Sequence, residues 1–459
     1  MESVFTAHTV YNSDWLGSDP VFYNEKTGKV SRNINDVIDF RNLAFHPEGL
    51  NNYLNFGYSV FEQTPVQHVK YLRHSSALQI NNGALQVSYK EDSAEKNIGK
   101  TTVEEDVLHQ LQTAIRQWEN EVEGEIIIPT SGGYDSRLLN DLVSDKSRIR
   151  SFTYGISPDQ HLSYEAVYAR KIAEILGTRW ERIELGDFHH YFDAWDALFG
   201  VSTHAHGMYQ IEFFTKIKNR VGNNCGLLSG IIGDAWAGSV NIPPIKKPED
   251  VQLLAYSHGM RADVAYSRLQ SGKDLLHTYY ETHKEKLEDP RFRVIESMRF
   301  KIILLCYLFR VPESLDFKPW SPFLDADIAL SMLNLPDERR KSRTWQVDYF
   351  RKKSLYIEDL HLPCSKKNTL NSYGLARVPL KPLDAGLLAE IIQPHYVEWI
   401  NKQLTAAPAW RNVLDALVNY PKIGGALRRL GVIDAKRTAY LAYLTLKPLE
   451  TLIIKRNNA

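Results

Sequence analysis

The chain has 459 residues, 43% hydrophobic and 11% aromatic, which allows two or three domains with real cores and excludes disorder as its main state. Its 55 basic and 55 acidic residues balance, which argues against nucleic acid or a membrane surface as a general partner. The longest uncharged apolar run, Ile302 to Phe309, is too short to span a membrane.

Two further features indicate the compartment. The start of the chain carries Glu2 and Asp14 and no apolar stretch, so no secretory signal is expected there. Cys225, Cys306 and Cys364 are widely spaced and form no CxxC pair, which argues against disulfides and thiolate metal sites. We therefore expect a cytoplasmic protein with reduced thiols.

The first part of the chain predicts a β-rich unit. Its short apolar or aromatic runs are separated by Gly, Asn and Pro, and they are Val21–Tyr23, Leu54–Phe61, His68–Leu72 and Ala84–Tyr89. The polar stretch from Lys90 to Thr101 predicts a linker. We place the domain boundary there, with residues 1–95 as the first unit and residues 96–459 as the second.

The second unit begins with a change of periodicity. From Val103 onwards apolar residues recur on one helical face, and they are followed by a predicted strand, Glu125–Pro129. A Gly-rich turn, a helix near Arg137–Val143 and a second strand, Ile149–Ile156, come next. This order predicts an α/β fold with a doubly wound parallel sheet, and the pattern beyond Pro243 is mostly helical.

The Gly-rich turn has the composition of a phosphate-binding loop. Gly132 and Gly133 allow the backbone to turn sharply and to expose its N–H groups at the start of the next helix. Ser131 and Ser136 add hydroxyl donors, and Asp135 offers an oxygen ligand to the Mg²⁺ that accompanies pyrophosphate. The alternative is a plain Gly-rich turn in which the aspartate caps the helix.

A second loop is expected at the same edge of the sheet. Leu227 and Leu228 end a predicted strand, and Ser229 and Gly230 form the turn that follows it. Ligands of doubly wound sheets bind at this edge. Asp234 would then be a second Mg²⁺ ligand.

These segments also carry a family resemblance. SGGYDS, residues 131–136, matches the SGGxDS signature of the ATP pyrophosphatases, the PP-loop or adenine nucleotide α-hydrolase-like superfamily. Within it the chain resembles the asparagine synthetases and β-lactam synthetases, through SFTYG at 151–155, LLSGIIGDAWAG at 227–238 and SPFLDADIA at 321–329. The resemblance implies ATP and Mg²⁺ as cofactors, with the two loops binding the nucleotide.

The same resemblance points to a lysine. LPCSKKNTL, residues 362–370, is similar to a late family segment in which a Lys follows a Leu-Pro. It implies that Lys367, with Lys366 as second choice, stabilises charge developing on pyrophosphate. The alternative is a solvated loop with two adjacent lysines.

The chain departs from the family pattern on the acceptor side. Ala235 stands where the family has Glu, and Ile231 and Ile232 replace small or acidic residues. Before the PFLD segment, Lys318 and Trp320 replace a Glu and an Arg. The acceptor-side acid/base residue is therefore unassigned, and a changed acceptor site is expected.

The first unit resembles part of a glutaminase domain. DWLGSDPVFYNEKTGKV, residues 14–30, is similar to a segment that lies well inside the family's N-terminal-nucleophile (Ntn) glutaminase domain. Because Met1 is followed by Glu2 and no cysteine is near, residues 1–95 are expected to be a truncated remnant without the nucleophile. Free ammonia, a separate glutaminase or an amine on the substrate would then supply nitrogen.

Together these features predict an ATP-dependent amide-forming ligase that adenylates a small-molecule carboxylic acid. Aspartate, a uronic-acid sugar and a natural-product or peptide carboxylate are all open as the acid, and a homo-oligomer is open as well. No nucleic-acid partner and no membrane span are expected. The alternatives are a PP-loop enzyme of another branch, such as a tRNA thiolase, and a non-catalytic scaffold.

Two other features are given structural interpretations. His204 and His206 are predicted to share a strand face at the surface or in a substrate pocket, and metal binding there is not expected. The basic tail from Pro421 to Ala459 is interpreted as a packed terminal helix with a solvated basic face, in preference to a membrane-binding segment.

Overall fold

The computed structural model describes residues 9–81, 84–222, 224–255, 259–272, 275–405 and 434–459. The strands are β1 (Thr9–Asn12), β2 (Phe22–Asn24), β3 (Val30–Ser31), β4 (Val69–Tyr71), β5 (Ser76–Asn81), β6 (Ala84–Tyr89), β7 (Glu125–Pro129), β8 (Ile149–Tyr154), β9 (Arg179–Ile183), β10 (Cys225–Leu228) and β11 (Lys318–Trp320).

The first ten helices are α1 (Ile34–Val37), α2 (Pro47–Phe56), α3 (Ser93–Asn97), α4 (Glu104–Glu121), α5 (Tyr134–Leu142), α6 (Tyr164–Leu176), α7 (Phe192–Phe199), α8 (Met208–Lys218), α9 (Gly233–Ala237) and α10 (Leu275–His283). The later helices are α11 (Pro290–Leu305), α12 (Tyr307–Glu313), α13 (Ala326–Leu333), α14 (Asp337–Arg340), α15 (Thr344–Lys352), α16 (Leu370–Arg377), α17 (Ala385–Leu388), α18 (Pro394–Thr405) and α19 (Ala435–Asn457).

A five-stranded sheet in the order β11-β10-β7-β8-β9 lies at the centre, and every neighbouring pair in it is parallel. The chain winds outwards from β7 to β9 on one side, then returns to place β10 on the other side of β7. The strand order therefore reverses between β7 and β10, and a crevice at such a point is where open α/β sheets bind ligands.

Helices cover both faces of this sheet. Ile127 of β7 packs in one core cluster with Ile211 and Phe214 of α8. Ile126 and Ile128 point the other way, into a cluster that includes residues of α4, α5 and α11. The expectation of an α/β fold with a parallel sheet is confirmed. The sequence allowed this prediction because a strand that is buried on both faces has a continuous run of apolar residues.

The N-terminal segment is β-rich as expected, with two three-stranded antiparallel sheets, β1-β5-β6 and β3-β2-β4. The predicted strand-like run Leu54–Phe61 is wrong in its first half, which belongs to α2. Pro47 is the first residue of this helix, His46 caps its N-terminus, and Gly57 ends it at φ +83°. These residues are typical of the start and the end of a helix. The prediction gave more weight to the apolar and aromatic residues of the run.

The predicted linker is also corrected. Residues 90–101 contain α3, in which Ala94 is fully buried. Asp92 forms an ion pair of 2.7 Å with Arg299 of α11, and both side chains are less than one-tenth exposed. The segment therefore contains a helix and a buried ionic contact, while Glu91, Glu95 and Lys100 are exposed.

Residues 9–81 pack against the rest of the protein over a broad surface. The Tyr53 hydroxyl donates to the Thr445 carbonyl at 3.0 Å, and the Tyr58 hydroxyl donates to the Ala255 carbonyl at 2.8 Å. Trp15 donates to the Leu324 carbonyl and contacts the Trp236 ring. The N-terminal segment therefore shares its core with the parallel-sheet region.

The C-terminal helix α19 is packed as expected, and Lys455 pairs with the buried Asp196. Residues 421–433 of the predicted tail lie outside the described residues. The predicted strand through His204 and His206 is wrong, because Ala205–Gly207 forms a 3₁₀ turn. Over the described ranges, no helix is long and apolar enough to cross a membrane.

Candidate functional site

The loop after β7 is shaped by its own hydroxyl groups. Ser131 N–H donates to the Ser136 hydroxyl at 3.2 Å, and Gly133 N–H donates to the Ser131 hydroxyl at 3.1 Å. Helix α5 begins at Tyr134, so its N-terminus faces the sheet edge. Asp135 lies in the first turn and makes no cap hydrogen bond, which contradicts the interpretation of this residue as a helix cap.

Gly132 has no room for a side chain. A Cβ atom there would lie 2.8 Å from Tyr164 Cε1 and from Tyr168 Cβ. Its carbonyl accepts a 3.0 Å hydrogen bond from the fully buried Arg137, which also pairs with Glu358 at 2.8 Å. The loop is therefore held closely against α6 and against the chain that follows α15.

The loop after β10 contacts the first loop, as the sequence predicted. A Cβ atom on Gly230 would lie 3.3 Å from Asp135 Cβ and 3.4 Å from Ser136 N. Ser229 N–H donates to the Trp320 carbonyl at 2.8 Å, which fixes this loop to β11. The structure thus brings Ser131, Ser136, Ser229 and Gly230 to one edge of the sheet.

The two predicted metal ligands interact. The pKa of Asp135 is raised to about 7, first because the carboxyl is buried and second because the Asp234 carboxylate is near. Asp135 Oδ1 is shielded from solvent and has no hydrogen-bond partner, whereas Asp234 Oδ2 accepts from the Ser239 hydroxyl at 2.8 Å. A buried carboxylate oxygen without a donor beside a second carboxylate fits a divalent cation.

Three polar residues near this pair were not identified from the sequence. Gln346 on α15 and Arg343, the residue before this helix, both act to lower the pKa of Asp135, and Lys301 on α11 interacts with Asp234. Arg343 stacks on the Tyr134 ring at 4.4 Å and pairs with no carboxylate of the described residues. Its φ of +58°, after Ser342 at +53°, is a strained pair of the kind found at functional sites.

Lys366 and Lys367 lie at the same sheet edge but touch neither carboxylate. Ser365, the residue before them, accepts from Tyr164 N–H at 2.9 Å, and the pair Ser163–Ser365 forms a parallel bridge. Lys366 Nζ lies 5.2 Å from the Tyr164 ring centre. Both lysines are exposed and have no ion-pair partner within the described part of the chain.

A cavity of about 350 Å³ opens between the carboxyl ends of β7, β8 and β10. It combines ring and apolar faces with uncharged polar groups, and its lining includes Thr130, Phe152, Tyr154, Gln210, Phe213 and Ser229. His206 and Glu165 also line it, so His206 is a pocket residue as the sequence suggested. The cavity suits a flat, weakly charged ring system.

His206, which lines this cavity, carries no positive charge near pH 7. The pKa of His206 is lowered to about 4, chiefly by burial, so its imidazole is neutral near pH 7. Its Nε2 lies 3.3 Å from Asn371 Nδ2. In the described part of the chain, no group of three or more His, Cys, Asp and Glu side chains is placed to hold a metal.

The departures from the family pattern in the second loop are buried, whereas Lys318 is exposed and Trp320 half-buried. Ala235 is 1% exposed, and Ile232 has a φ of +52°, a left-handed conformation that is costly for a β-branched residue. In the PFLD segment, Asp325 caps α13, and the Phe323 ring leaves no room for a side chain on Gly233. These residues support the second loop and do not reach the cavity.

Comparisons with known proteins identify no family for the chain. No protein-family model and no curated protein matches it. Among solved structures it is similar to the NH3-dependent NAD synthetase of Campylobacter jejuni subsp. jejuni, over 43% of this chain and 93% of that one. With 15% identity and a TM-score of 0.23, this likeness carries no argument about function.

Proposed function

We propose that the protein is an ATP-dependent amide-forming ligase of the asparagine-synthetase-like, PP-loop type. The observation that carries this proposal is the contact between the SGGYDS and SGIIGD loops, which brings Asp135 close to Asp234 where the strand order reverses. Backbone N–H groups at a helix start, with two carboxylates beside them, suit a metal-bound polyphosphate.

In this proposal ATP binds across the sheet edge. The base and ribose occupy the cavity lined by Phe152, Tyr154 and Ser229, and the phosphates lie over Gly132 and Gly133. The chain supplies few charges to the cavity and several around the loops, which matches a neutral base joined to a charged polyphosphate. Asp135 and Asp234 would hold Mg²⁺, which shields phosphate charge when bound.

The reaction has two steps. A substrate carboxylate attacks the α-phosphorus of ATP, so that an acyl-adenylate forms and pyrophosphate leaves. Ammonia or an amine then attacks the acyl carbon, and AMP leaves with the amide and a proton as the other products. The protein contributes positioning and charge stabilisation, because adenylation itself makes the carboxyl group reactive.

Three cations of this chain are available to stabilise the leaving pyrophosphate. Lys367, with Lys366 beside it, belongs to the segment anchored on α6, and its neighbour Asn368 lines the cavity. Arg343 lies on the other side of the first loop, over Tyr134. Neither lysine nor Arg343 forms an ion pair with a carboxylate of the described residues, although Arg343 is near enough to Asp135 to lower its pKa, so all three can pair with phosphate.

Product analysis tests the proposal. The purified protein is incubated with Mg²⁺, ATP, ammonium and a panel of small carboxylic acids, and the nucleotide products are separated. Formation of AMP and pyrophosphate with at least one acid is expected. ADP and phosphate as the only products would assign the loops to another chemistry.

A nucleotide-binding protein without ligase activity is the second candidate. It is favoured by Ala235, which is buried where the resembling family carries a Glu. Such a protein would bind ATP and release no AMP with any acid in the panel.

A further inference from the structure

Helix α15 packs beside the start of α5, where Asp135 lies. Arg343, the residue before α15, places its guanidinium 4.4 Å from the Tyr134 ring centre, and Phe350 of α15 meets the same ring edge-on at 5.3 Å. Gln346 and Phe350, four positions apart in α15, share one face of this helix. Gln346 therefore lies on the face that meets α5, next to Asp135 in the first turn of that helix.

Gln346 is buried beside the Asp135 carboxyl, which its carboxamide approaches closely enough to lower the pKa of that group. Its side chain is fully buried, and both Nε2 and Oε1 lack a hydrogen-bond partner in the described structure. Asp135 Oδ1, at the start of α5, is a second buried atom without a partner. Buried amides are almost always hydrogen-bonded, so two such groups side by side indicate a missing third component.

Elsewhere in the chain a buried glutamine is satisfied in the usual way. Gln160 donates to the Leu185 carbonyl at 2.6 Å and accepts from Leu185 N–H at 3.1 Å. Gln63 and Gln110 each have one buried amide atom without a partner, whereas Gln346 has two. No described neighbour offers it the partners that Leu185 offers Gln160.

We propose that the Gln346 carboxamide oxygen is a third protein ligand, with Asp135 and Asp234, for the divalent cation that accompanies the polyphosphate. This assignment rests on the proposed function, since that function supplies the metal-nucleotide. Hard divalent cations accept carboxamide oxygens as ligands. A neutral third ligand adds an oxygen without adding a negative charge that would repel the phosphates.

The assignment predicts opposite effects on metal binding and on stability. Gln346→Leu removes the ligand oxygen and also the unsatisfied amide. In the metal-free protein its Tm should be unchanged or higher, because an unpartnered buried amide is destabilising. The same substitution should raise the Kd for Mn²⁺ about tenfold, because a ligand is lost.

Mn²⁺ binding followed by electron paramagnetic resonance, with α,β-methylene-ATP present, tests the assignment. Gln346→Glu should bind Mn²⁺ at least as tightly as the native protein, since it restores an oxygen. Gln160→Leu is the matched control, and it should lower the Tm without changing the Mn²⁺ Kd. An unchanged Kd in Gln346→Leu, or a fall in its Tm like that of the control, would overturn the assignment.

Asp135→Asn separates this assignment from the proposed function. If the native protein binds Mn²⁺ and Asp135→Asn loses it while Gln346→Leu does not, the role of Gln346 is refuted and the function stands. If the native protein binds no Mn²⁺ with the nucleotide analogue, the proposed function itself fails.

Discussion

At the scale of single residues, the charged side chains around the candidate site come from separate segments of the chain. Asp135 and Asp234 are close enough to influence each other, while Lys366 and Lys367 extend from a separate segment into solvent. Arg343 completes the set from the residue before α15. The site is therefore assembled from distant parts of the chain, and each part can be altered alone.

Lys367 is expected to contribute more to kcat than Lys366. Lys367→Met should lower kcat about 100-fold through lost charge stabilisation. Lys366→Met should lower it less than about tenfold, because this side chain lies over the Tyr164 ring. Steady-state AMP formation measures both, and unchanged denaturation midpoints would show that both variants fold. Equal losses at the two positions would contradict the assignment.

His204 should make stability depend on pH. The residue is 2% exposed, and burial lowers its pKa from 6.5 to about 3. The unfolded chain therefore binds a proton below pH 6.5 that the folded protein does not take up until about pH 3. Stability is fully present above pH 6.5 and is lost as the pH falls, by about 1.4 kcal/mol per unit over that interval.

The His204→Gln variant isolates this effect. Between pH 7 and pH 5, its free energy of unfolding should fall by about 2 kcal/mol less than that of the native protein. Urea denaturation at the two pH values gives the comparison. Parallel losses in the two proteins would show that His204 does not carry the pH dependence.

Among single residues, sequence patterns identified the loop but not its surroundings. Asp135 and Asp234 follow strands within recognisable motifs, so their proximity could be predicted from a parallel sheet. Gln346 lies in α15 and Arg343 just before it, far along the chain, and only the packing of α15 on α5 brings them near. A charged residue in an ordinary helical segment gives no such indication.

At the scale of elements, the phosphate loop depends on an ion pair. Arg137 links the Gly132 carbonyl, the Leu355 carbonyl and the Glu358 carboxylate, and its own side chain is fully buried. The segment after α15, which leads to the two lysines, is thereby joined to the loop. Movement of the loop would therefore strain this segment, and movement of the segment would strain the loop.

Glu358→Gln should therefore affect both stability and nucleotide binding. The substitution leaves the buried Arg137 charge without a counter-charge and should cost about 2 kcal/mol, since Glu358 is partly exposed. The KM for ATP should also rise. Glu174→Gln, in an exposed pair on α6, is the control and should change the free energy of unfolding by less than about 0.5 kcal/mol. Indistinguishable denaturation curves for the two variants would refute the link.

Elements with a strong local pattern were predicted well. β7 has the predicted bounds because three consecutive isoleucines fill a doubly buried strand, and α4 buries the apolar face that was identified. β11 was not predicted, because three residues around Pro319 have no strand pattern and pair only as an edge of the sheet. Tertiary pairing decides such short elements.

At the scale of the whole molecule, the N-terminal segment and the parallel-sheet region share their cores. Arg299 of α11 binds the Asp92 carboxylate and the Trp15 carbonyl, and Glu296 completes this buried network. A sequence boundary near residue 95 marks a change in composition. The division into two domains remains a proposal.

Asp92→Asn tests how the two parts are coupled. The variant should lose about 2 kcal/mol of stability, because Arg299 keeps Glu296 but loses one charged partner. Hydrogen exchange should then show reduced protection of the amides of β5 and of α11 together. Reduced protection in β5 alone would show that the N-terminal segment opens independently.

The central claim is that this protein activates a carboxylic acid by adenylation. Exchange of labelled pyrophosphate into ATP, measured with Mg²⁺ and carboxylic acid and without any amine, tests that step directly. We predict acid-dependent exchange in the native protein and its loss in Asp135→Asn and Asp234→Asn. No exchange with any acid, in a protein that binds ATP and is folded, would contradict the claim.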